Sequence, residues 1–133
     1  MELIERLVAK LLENIPECRA IYRFGTWGTA AERPDSDLDL AFLPACPTGS
    51  VHRWELAQQL ARLAGRDVDL VDLLTASTVL RMQVLTNGER LYCSDCTAVE
   101  SFEDTVFSEY ARLNEERREI LEDIRLRGTV YGK

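Results

Sequence analysis

Apolar and polar positions follow two different periods along this chain, and the changes of period predict the order of its helices and strands. Steps of three and four predict an amphipathic helix over residues 2–14, which Pro16 ends. The same spacing predicts further helices over 51–64, from Thr75 or Ser77 to about 86, and over about 99–127. Short apolar or alternating runs predict strands at 19–24, 37–43, 67–73 and 90–93.

This order of elements predicts an α/β fold (α+β), with a small mixed β-sheet flanked by helices. The 133 residues favour a single domain, 1–133, with a core of about 1–95 followed by a long C-terminal helix. Hydrophobic residues make up 46% of the chain, which suffices for a packed core. Two interpretations of the last helix stay open: it packs on its own core, or its Glu- and Arg-rich second half contacts a partner.

The predicted strand 37–43 carries two carboxylates, Asp37 and Asp39. Residues two apart in a strand face the same side, so these like charges are expected to lie together and to repel each other. A divalent cation removes that conflict. Mg²⁺ prefers hard oxygen ligands and commonly binds one or two carboxylates together with substrate phosphates.

The predicted strand 67–73 offers a third carboxylate. Asp67 and Asp69 share one face of this strand, and either can join the first pair if the two strands are neighbours. Asp69 lies deeper in the strand and is the favoured ligand. Two acidic strands side by side predict a site for two Mg²⁺ ions, which orients a triphosphate and activates an attacking hydroxyl.

The turn Gly25-Thr26 follows the first predicted strand and is the candidate phosphate-binding segment. Glycine lets the backbone approach a phosphate closely, and the Thr26 hydroxyl and nearby N–H groups can donate to its oxygens. Arg33 can add a positive contact, and Trp27 is expected to pack against the loop rather than on a nucleotide base. Each signal alone is weak, but their order and spacing together favour a metal–nucleotide site.

Charge and cysteine content narrow the functional classes. A net charge of −7 argues against direct nucleic-acid binding, which needs clustered Lys and Arg. No apolar run is long enough to span a membrane, and the acidic N-terminus differs from a signal peptide, so we expect a cytoplasmic protein with reduced cysteines. The pair Cys93 and Cys96 lacks two further nearby ligands for zinc. Neither the cysteines nor His52 receive a catalytic role.

The segment from Gly25-Thr26 through ten residues to Asp37-x-Asp39 resembles the Gly-Ser, ten residues, Asp-x-Asp signature of the DNA polymerase beta-like nucleotidyltransferase superfamily. The short chain, the strand VDLVDL, the segment NGERLYC and the C-terminal RLNEERREILEDIRLRGTVYG are similar to its minimal nucleotidyltransferases (MNT), the MntA-like antitoxins. The resemblance covers nearly the whole chain and implies their polymerase beta-like fold.

The resemblance also implies an activity. MntA-like antitoxins of type VII HEPN/MNT modules transfer AMP from ATP to a tyrosine of a HepT-like RNase toxin, with which they form hetero-oligomers, and so neutralise it. By motif match, Asp37 and Asp39 would bind both Mg²⁺ ions, Asp69 would complete the catalytic metal site and help deprotonate the tyrosine, and Gly25 and Thr26 would hold the triphosphate.

The chain departs from the family pattern at two places. Thr26 stands where the motif has serine, and Thr29-Ala30 stand where many relatives carry Arg-Gly, so Arg33 or Arg23 is the candidate replacement. Two alternatives remain: a non-catalytic antitoxin that covers the toxin, and a small-molecule (antibiotic) nucleotidyltransferase, a class that usually carries an additional substrate-binding domain. The three retained acids favour catalysis, since without a metal their repulsion costs stability.

Overall fold

The computed structural model describes residues 2–131, with side chains described through residue 127, so both ends of the predicted 1–133 domain lie outside the described residues. The elements follow the predicted order. They are α1 Leu3–Asn14, β1 Ala20–Phe24, β2 Leu38–Leu43, α2 Ser50–Ala64, β3 Val68–Asp72, α3 Thr78–Asn87, β4 Glu89–Cys93 and α4 Cys96–Tyr131. No helix within residues 2–131 is long and apolar enough to cross a membrane.

The strands form one mixed sheet in the order β3-β2-β1-β4, which confirms the predicted fold class. Strand β1 runs antiparallel to both β2 and β4, whereas β2 and β3 are parallel. A parallel pair needs a crossover connection, and helix α2 supplies it. Consequently β2 and β3 begin at the same edge of the sheet at which β1 ends.

Helices cover both faces of this sheet. On one face, α1 and α2 pack against the strands, with a buried cluster that includes Leu11, Leu60, Leu40 and Phe42. On the other face, α3 and the start of α4 pack on a second cluster that includes Tyr22, Val84 and Val99. The Tyr22 hydroxyl donates a hydrogen bond to Glu103 at 2.7 Å and ties α4 to the sheet. Both layers fix the strand ends on which the candidate residues lie.

Helix α4 differs between its two halves. Val99 and Val106 are buried against the body of the protein, as the predicted apolar face requires. Every described side chain from 111 through 127 is exposed. Ile120 and Ile124 are 60% and 58% exposed although they continue the same stripe. The first open interpretation therefore holds for the first half of α4 only, because the second half does not pack on this chain's core.

Local signals set most element ends as predicted. Ser77 caps α3 by accepting a hydrogen bond from the Leu80 N–H at 3.1 Å, which selects it over Thr75. Gly65 ends α2 in the left-handed conformation, with φ of 71°. The predicted start of the second strand was wrong: Asp37 does not lie in a strand, because β2 begins at Leu38 and Asp37 ends the preceding loop. Helix α4 also begins earlier than predicted, at Cys96.

Candidate active site

The sheet register brings the predicted carboxylates to one edge. Asp39 pairs with Asp69 across the parallel β2–β3 ladder and with Phe24 across the antiparallel β1–β2 ladder. The predicted neighbourhood of the two acidic strands is therefore confirmed, and Asp69 rather than Asp67 lies beside Asp39. Asp67 precedes β3, and its carbonyl accepts a hydrogen bond from the Leu38 N–H at 2.9 Å. Phe24 leads directly into Gly25, so the phosphate turn begins at the same edge.

Asp39 is partly buried, whereas Asp37 and Asp69 are exposed. Burial, and then the negative charges of Asp69 and Asp37, raise the pKa of Asp39 above its ordinary value of 3.8. Among the described backbone groups and the described side chains, which end at residue 127, no donor forms a hydrogen bond with the Asp39 carboxylate. The edge therefore concentrates negative charge that the protein does not itself compensate.

The donor set fits a hard divalent cation, because it consists of carboxylate oxygens. Across the described part of the chain, no three His, Cys, Asp or Glu side chains are already gathered around one point that would hold a metal ion. Mutual repulsion opposes such convergence of like charges, and a cation reverses it. Asp37 and Asp69 are thus close enough to raise the pKa of Asp39, but the three carboxylates are not gathered into a coordination sphere.

The Gly25-Thr26 turn presses against Asp39. Gly25 has φ of 75°, and a side chain at this position would overlap the Asp39 carboxylate, so only glycine suits the site. Thr26 is exposed, and its carbonyl accepts hydrogen bonds from both the N–H and the hydroxyl of Thr29, at 3.0 and 2.6 Å. The Thr26 hydroxyl has no hydrogen-bond partner among the described side chains and backbone groups, so it is available to a ligand oxygen.

The remaining residues of the turn have structural contacts. Trp27 is 7% exposed and belongs to the core cluster under α1 and α2, which confirms that it packs rather than presents its ring. Arg23 lies over the Trp27 ring at 5.8 Å and pairs with Glu89 at 2.6 Å. Arg23 is thus already engaged, whereas Arg33 is exposed in the following loop. Of the two candidate replacements for the family's arginine, Arg33 is the less occupied.

Sequence reasoning missed the contacts of Arg66, which lies near this edge, and of Asp72, which lies at the opposite edge where β3 ends. Arg66 donates hydrogen bonds to main-chain carbonyls of the loop before Asp37, and with Asp37 it lines an open cleft of about 460 Å³. Asp72 is 1% exposed and accepts the N–H groups of Thr48 and Leu74, both at 2.9 Å. No periodic pattern predicts these contacts for either residue. The only signal for Arg66 is its place between a helix-ending glycine and an acidic strand.

The cysteines lie away from the acidic edge and are all free thiols. Burial raises the pKa of Cys18 to about 11, so this thiol is protonated at neutral pH. The Cys96 thiol donates to the Cys93 carbonyl at 3.9 Å. Of the four cysteines, Cys18 alone is buried and packs in the core cluster under α1 and α2.

Comparison with known families and structures extends these observations. The family model described as Polymerase beta, Nucleotidyltransferase matches residues 7–97, a range that contains all five candidate site residues. The protein adenylyltransferase MntA of Shewanella oneidensis is 42% identical over 124 residues, which cover 92% of this chain and 88% of that protein.

Two solved complexes show the same fold. A crystal structure of a toxin–antitoxin complex with AMP-PNP matches with a TM-score of 0.82 and 39% identity, covering 92% of this chain and 98% of the matched chain. A structure of tri-AMPylated S. oneidensis HEPN toxin with MNT antitoxin matches with a TM-score of 0.78 and 39% identity, covering 92% and 96%. The likeness therefore extends well beyond the motif into the sheet and its helices.

Proposed function

Because this chain belongs to the polymerase beta nucleotidyltransferase family, we propose that it is an Mg²⁺-dependent protein adenylyltransferase acting on a HEPN-domain toxin. In this proposal, AMP from ATP is joined to a tyrosine of a HepT-like RNase, which is thereby inactivated. The chain would then be the antitoxin of a type VII module, with residues 1–95 as its catalytic core. The AMPylated toxin bound to a relative of 39% identity supports this substrate class.

One observation carries the proposal: the register places Asp39 beside Asp69, directly against Gly25, without a compensating donor. Such uncompensated acidity is destabilising unless a cation binds there. The phosphate turn at the same edge would supply the backbone of Gly25 and Thr26 and the Thr26 hydroxyl for a nucleotide. ATP is the favoured substrate, since the matched toxin–antitoxin complex contains the ATP analogue AMP-PNP.

The proposed roles follow from these positions. Asp37 and Asp39 would hold two Mg²⁺ ions, and Asp69 would complete one of the two sites. Bound Mg²⁺ neutralises phosphate charge and makes the attacking hydroxyl more acidic. Gly25 and Thr26 would hold the triphosphate, so that its α-phosphorus faces the incoming tyrosine.

The reaction balances with the groups that this edge provides. The tyrosine oxygen forms a bond to the α-phosphorus of ATP while the bond from that phosphorus to the β-phosphate oxygen breaks. Pyrophosphate leaves, and Asp69 accepts the phenolic proton. Asp69 is exposed, so its carboxylate can meet a side chain that another protein presents.

A partner protein is also favoured by the second half of helix α4. Leu113, Ile120, Leu121 and Ile124 are between 41% and 60% exposed, an unusual state for four large aliphatic side chains. Salt bridges between neighbouring turns, such as Arg127 with Asp123 at 3.3 Å, support the helix without burying this stripe. We propose that this segment binds the toxin and so brings its tyrosine to the site.

The test is intact mass measurement of the protein that copurifies with the tagged chain, after incubation with ATP and Mg²⁺. The copurifying protein should gain the mass of whole AMP units with the wild-type chain and should gain none with the Asp37→Asn/Asp39→Asn variant. A Glu13→Gln/Glu17→Gln variant is the charge-matched control, since these exposed acids lie before β1, at the other edge of the sheet. A partner that binds wild type and never gains mass would contradict transfer and favour inhibition by binding alone.

A further inference from the structure

One guanidinium group, that of Arg66, supports the loop between the phosphate turn and β2. Its Nε and one terminal nitrogen both donate to the Ser36 carbonyl, at 2.9 and 2.6 Å. The same terminal nitrogen donates to the Arg33 carbonyl at 3.0 Å. Ser36 directly precedes Asp37, so Arg66 fixes the backbone from which the Asp37 side chain extends.

The other end of the same guanidinium reaches the phosphate turn. Its second terminal nitrogen pairs with Glu32 at 2.8 Å, and the other oxygen of Glu32 accepts the Gly28 N–H at 2.9 Å. The hydrogen bond and charge of Arg66, together with the Gly28 N–H, lower the pKa of Glu32, so this carboxylate is ionised at neutral pH. Gly28 has φ of 82° and closes the turn that begins at Gly25.

We propose that Arg66 is a positioning residue for nucleotidyl transfer, which holds the phosphate turn and Asp37 in a fixed mutual arrangement through Glu32 and Ser36. The inference rests on the proposed function, because it concerns the residues assigned there to the triphosphate and the metal ions. The described hydrogen bonds of Arg66 go to Glu32, Arg33 and Ser36, and none goes to a residue assigned to the triphosphate or the metal ions. Its contribution is to reduce the freedom of the loop that joins the two segments, so that less order must be gained when nucleotide binds.

The chemistry of the contacts requires arginine. A guanidinium presents several donors in a rigid fork and can serve two carbonyls and a carboxylate at once. A lysine ammonium can keep the pair with Glu32 but lacks the fork that spans the loop. Arg66→Lys therefore separates a role in positioning from a role of charge alone.

Arg81 offers a matched control elsewhere in the molecule. Its Nε and a terminal nitrogen donate to the Leu73 and Leu74 carbonyls, both at 2.7 Å, and it pairs with Glu109 at 3.8 Å. The two arginine side chains are equally buried, with 20% and 18% exposed. Arg81 connects the turn after β3 with α3 and α4, and none of its described contacts involves a candidate site residue, so Arg81→Ala should cost stability without altering the phosphate turn.

The first experiment is hydrogen–deuterium exchange on the isolated chain without nucleotide, which needs no catalysis. Arg66→Ala should speed amide exchange in residues 26–37 by at least about tenfold, since several hydrogen bonds of that loop are lost. Arg81→Ala should leave that segment unchanged. Unchanged exchange of residues 26–37 in Arg66→Ala would overturn the inference even if wild type proves to be an active transferase.

The second experiment is steady-state kinetics with ATP and the partner protein, together with ATP affinity of the isolated chain. Arg66→Ala should raise KM for ATP and lower kcat/KM by roughly 10- to 100-fold, while Arg66→Lys recovers stability and only part of kcat/KM. Arg81→Ala should leave the KM for ATP at its wild-type value. If Arg66→Ala keeps the wild-type KM for ATP, or if Arg66→Lys recovers the full wild-type kcat/KM, the guanidinium fork does not position the loop for transfer. Absence of transfer by wild type would refute the proposed function alone, because exchange and affinity still report on Arg66.

Discussion

Asp39 and Asp72 lie on neighbouring strands of one sheet but in opposite surroundings. Asp72 is almost completely buried and accepts two main-chain N–H groups, from Thr48 and Leu74. Asp39 is less buried, lies near Asp69 and Asp37, and receives no hydrogen bond from the described side chains and backbone groups. The more buried carboxylate is thus the better compensated one.

This difference separates a structural acid from a functional one. Burial of a charge is tolerated where hydrogen bonds replace the lost water, and Asp72 meets that condition where the chain enters the turn after β3. Negative charges that cluster around Asp39 without hydrogen-bond donors lower the stability of the fold. Their presence indicates a ligand that carries positive charge. The burial of an acidic residue therefore matters less for its assignment than what surrounds its oxygens.

The largest expected effect comes from Asp39→Asn. We expect AMP transfer to fall by at least roughly 100-fold, because an amide is a poor Mg²⁺ ligand and the site loses a carboxylate. Stability without metal should stay the same or rise, since one repulsive charge is removed. Initial rates of partner modification and urea unfolding in EDTA measure the two effects. Wild-type transfer by this variant would remove Asp39 from the site.

Asp72→Asn should have the opposite effects: a loss of stability with little change in AMP transfer. One of its two N–H donors would face an amide nitrogen, so we expect the free energy of unfolding to fall by about 2 kcal/mol. Transfer at a temperature where the variant is folded should stay near the wild-type rate. Urea denaturation followed by far-UV circular dichroism measures the loss. A stable but inactive Asp72→Asn protein would break the comparison, because both carboxylates would then be functional.

A smaller effect concerns the pH dependence of stability in EDTA. The raised pKa of Asp39 means that the folded state holds more protons than the unfolded state just above its ordinary pKa of 3.8. This group therefore lowers stability as pH rises from that value through the raised pKa, and the penalty is complete at neutral pH. The stability gain of Asp39→Asn over wild type should grow across this window and then level off. A gain that shrinks with rising pH would contradict the assignment.

The smallest expected effect is that of Thr26→Ala, which removes one exposed hydroxyl from the phosphate turn. Loss of a single hydrogen bond to ATP should raise the KM for ATP by roughly 3- to 10-fold and leave partner binding unchanged. Thr26→Ser should retain the wild-type KM, because it keeps the hydroxyl. ATP titrations at saturating partner measure both. An unchanged KM in Thr26→Ala would exclude its hydroxyl from nucleotide binding.

The part of the site that sequence predicts is the part that periodicity encodes. Alternation along β2 and β3 predicts which face Asp39 and Asp69 share, and the glycine of the turn predicts a close approach of the backbone. The start of β2 was harder to predict from the sequence. Whether Asp37 starts the strand or ends the loop depends on tertiary contacts such as those of Arg66 with Ser36.

Contacts of single side chains with distant backbone groups have no such signal. Arg66 and Ser36 are 30 residues apart, and Asp72 and Thr48 are 24 residues apart. Arg66 would be interpreted as solvated from its sequence neighbours alone, and the alternation that places Asp72 on the face of Val68 and Leu70 does not identify its hydrogen-bond partners. The exposed second half of α4 was also ambiguous, since its apolar spacing suits a core as well as a partner.

The most direct measurement of the central claim is the fate of isotope label from ATP. Purified chain and partner protein are incubated with Mg²⁺ and ATP labelled in either the α- or the γ-phosphate, with Asp39→Asn and Asp72→Asn in parallel. We predict that the partner retains only α-label, with wild type and Asp72→Asn but not with Asp39→Asn. Retention of γ-label, or equal α-label with Asp39→Asn, would contradict adenylyl transfer at this acidic edge.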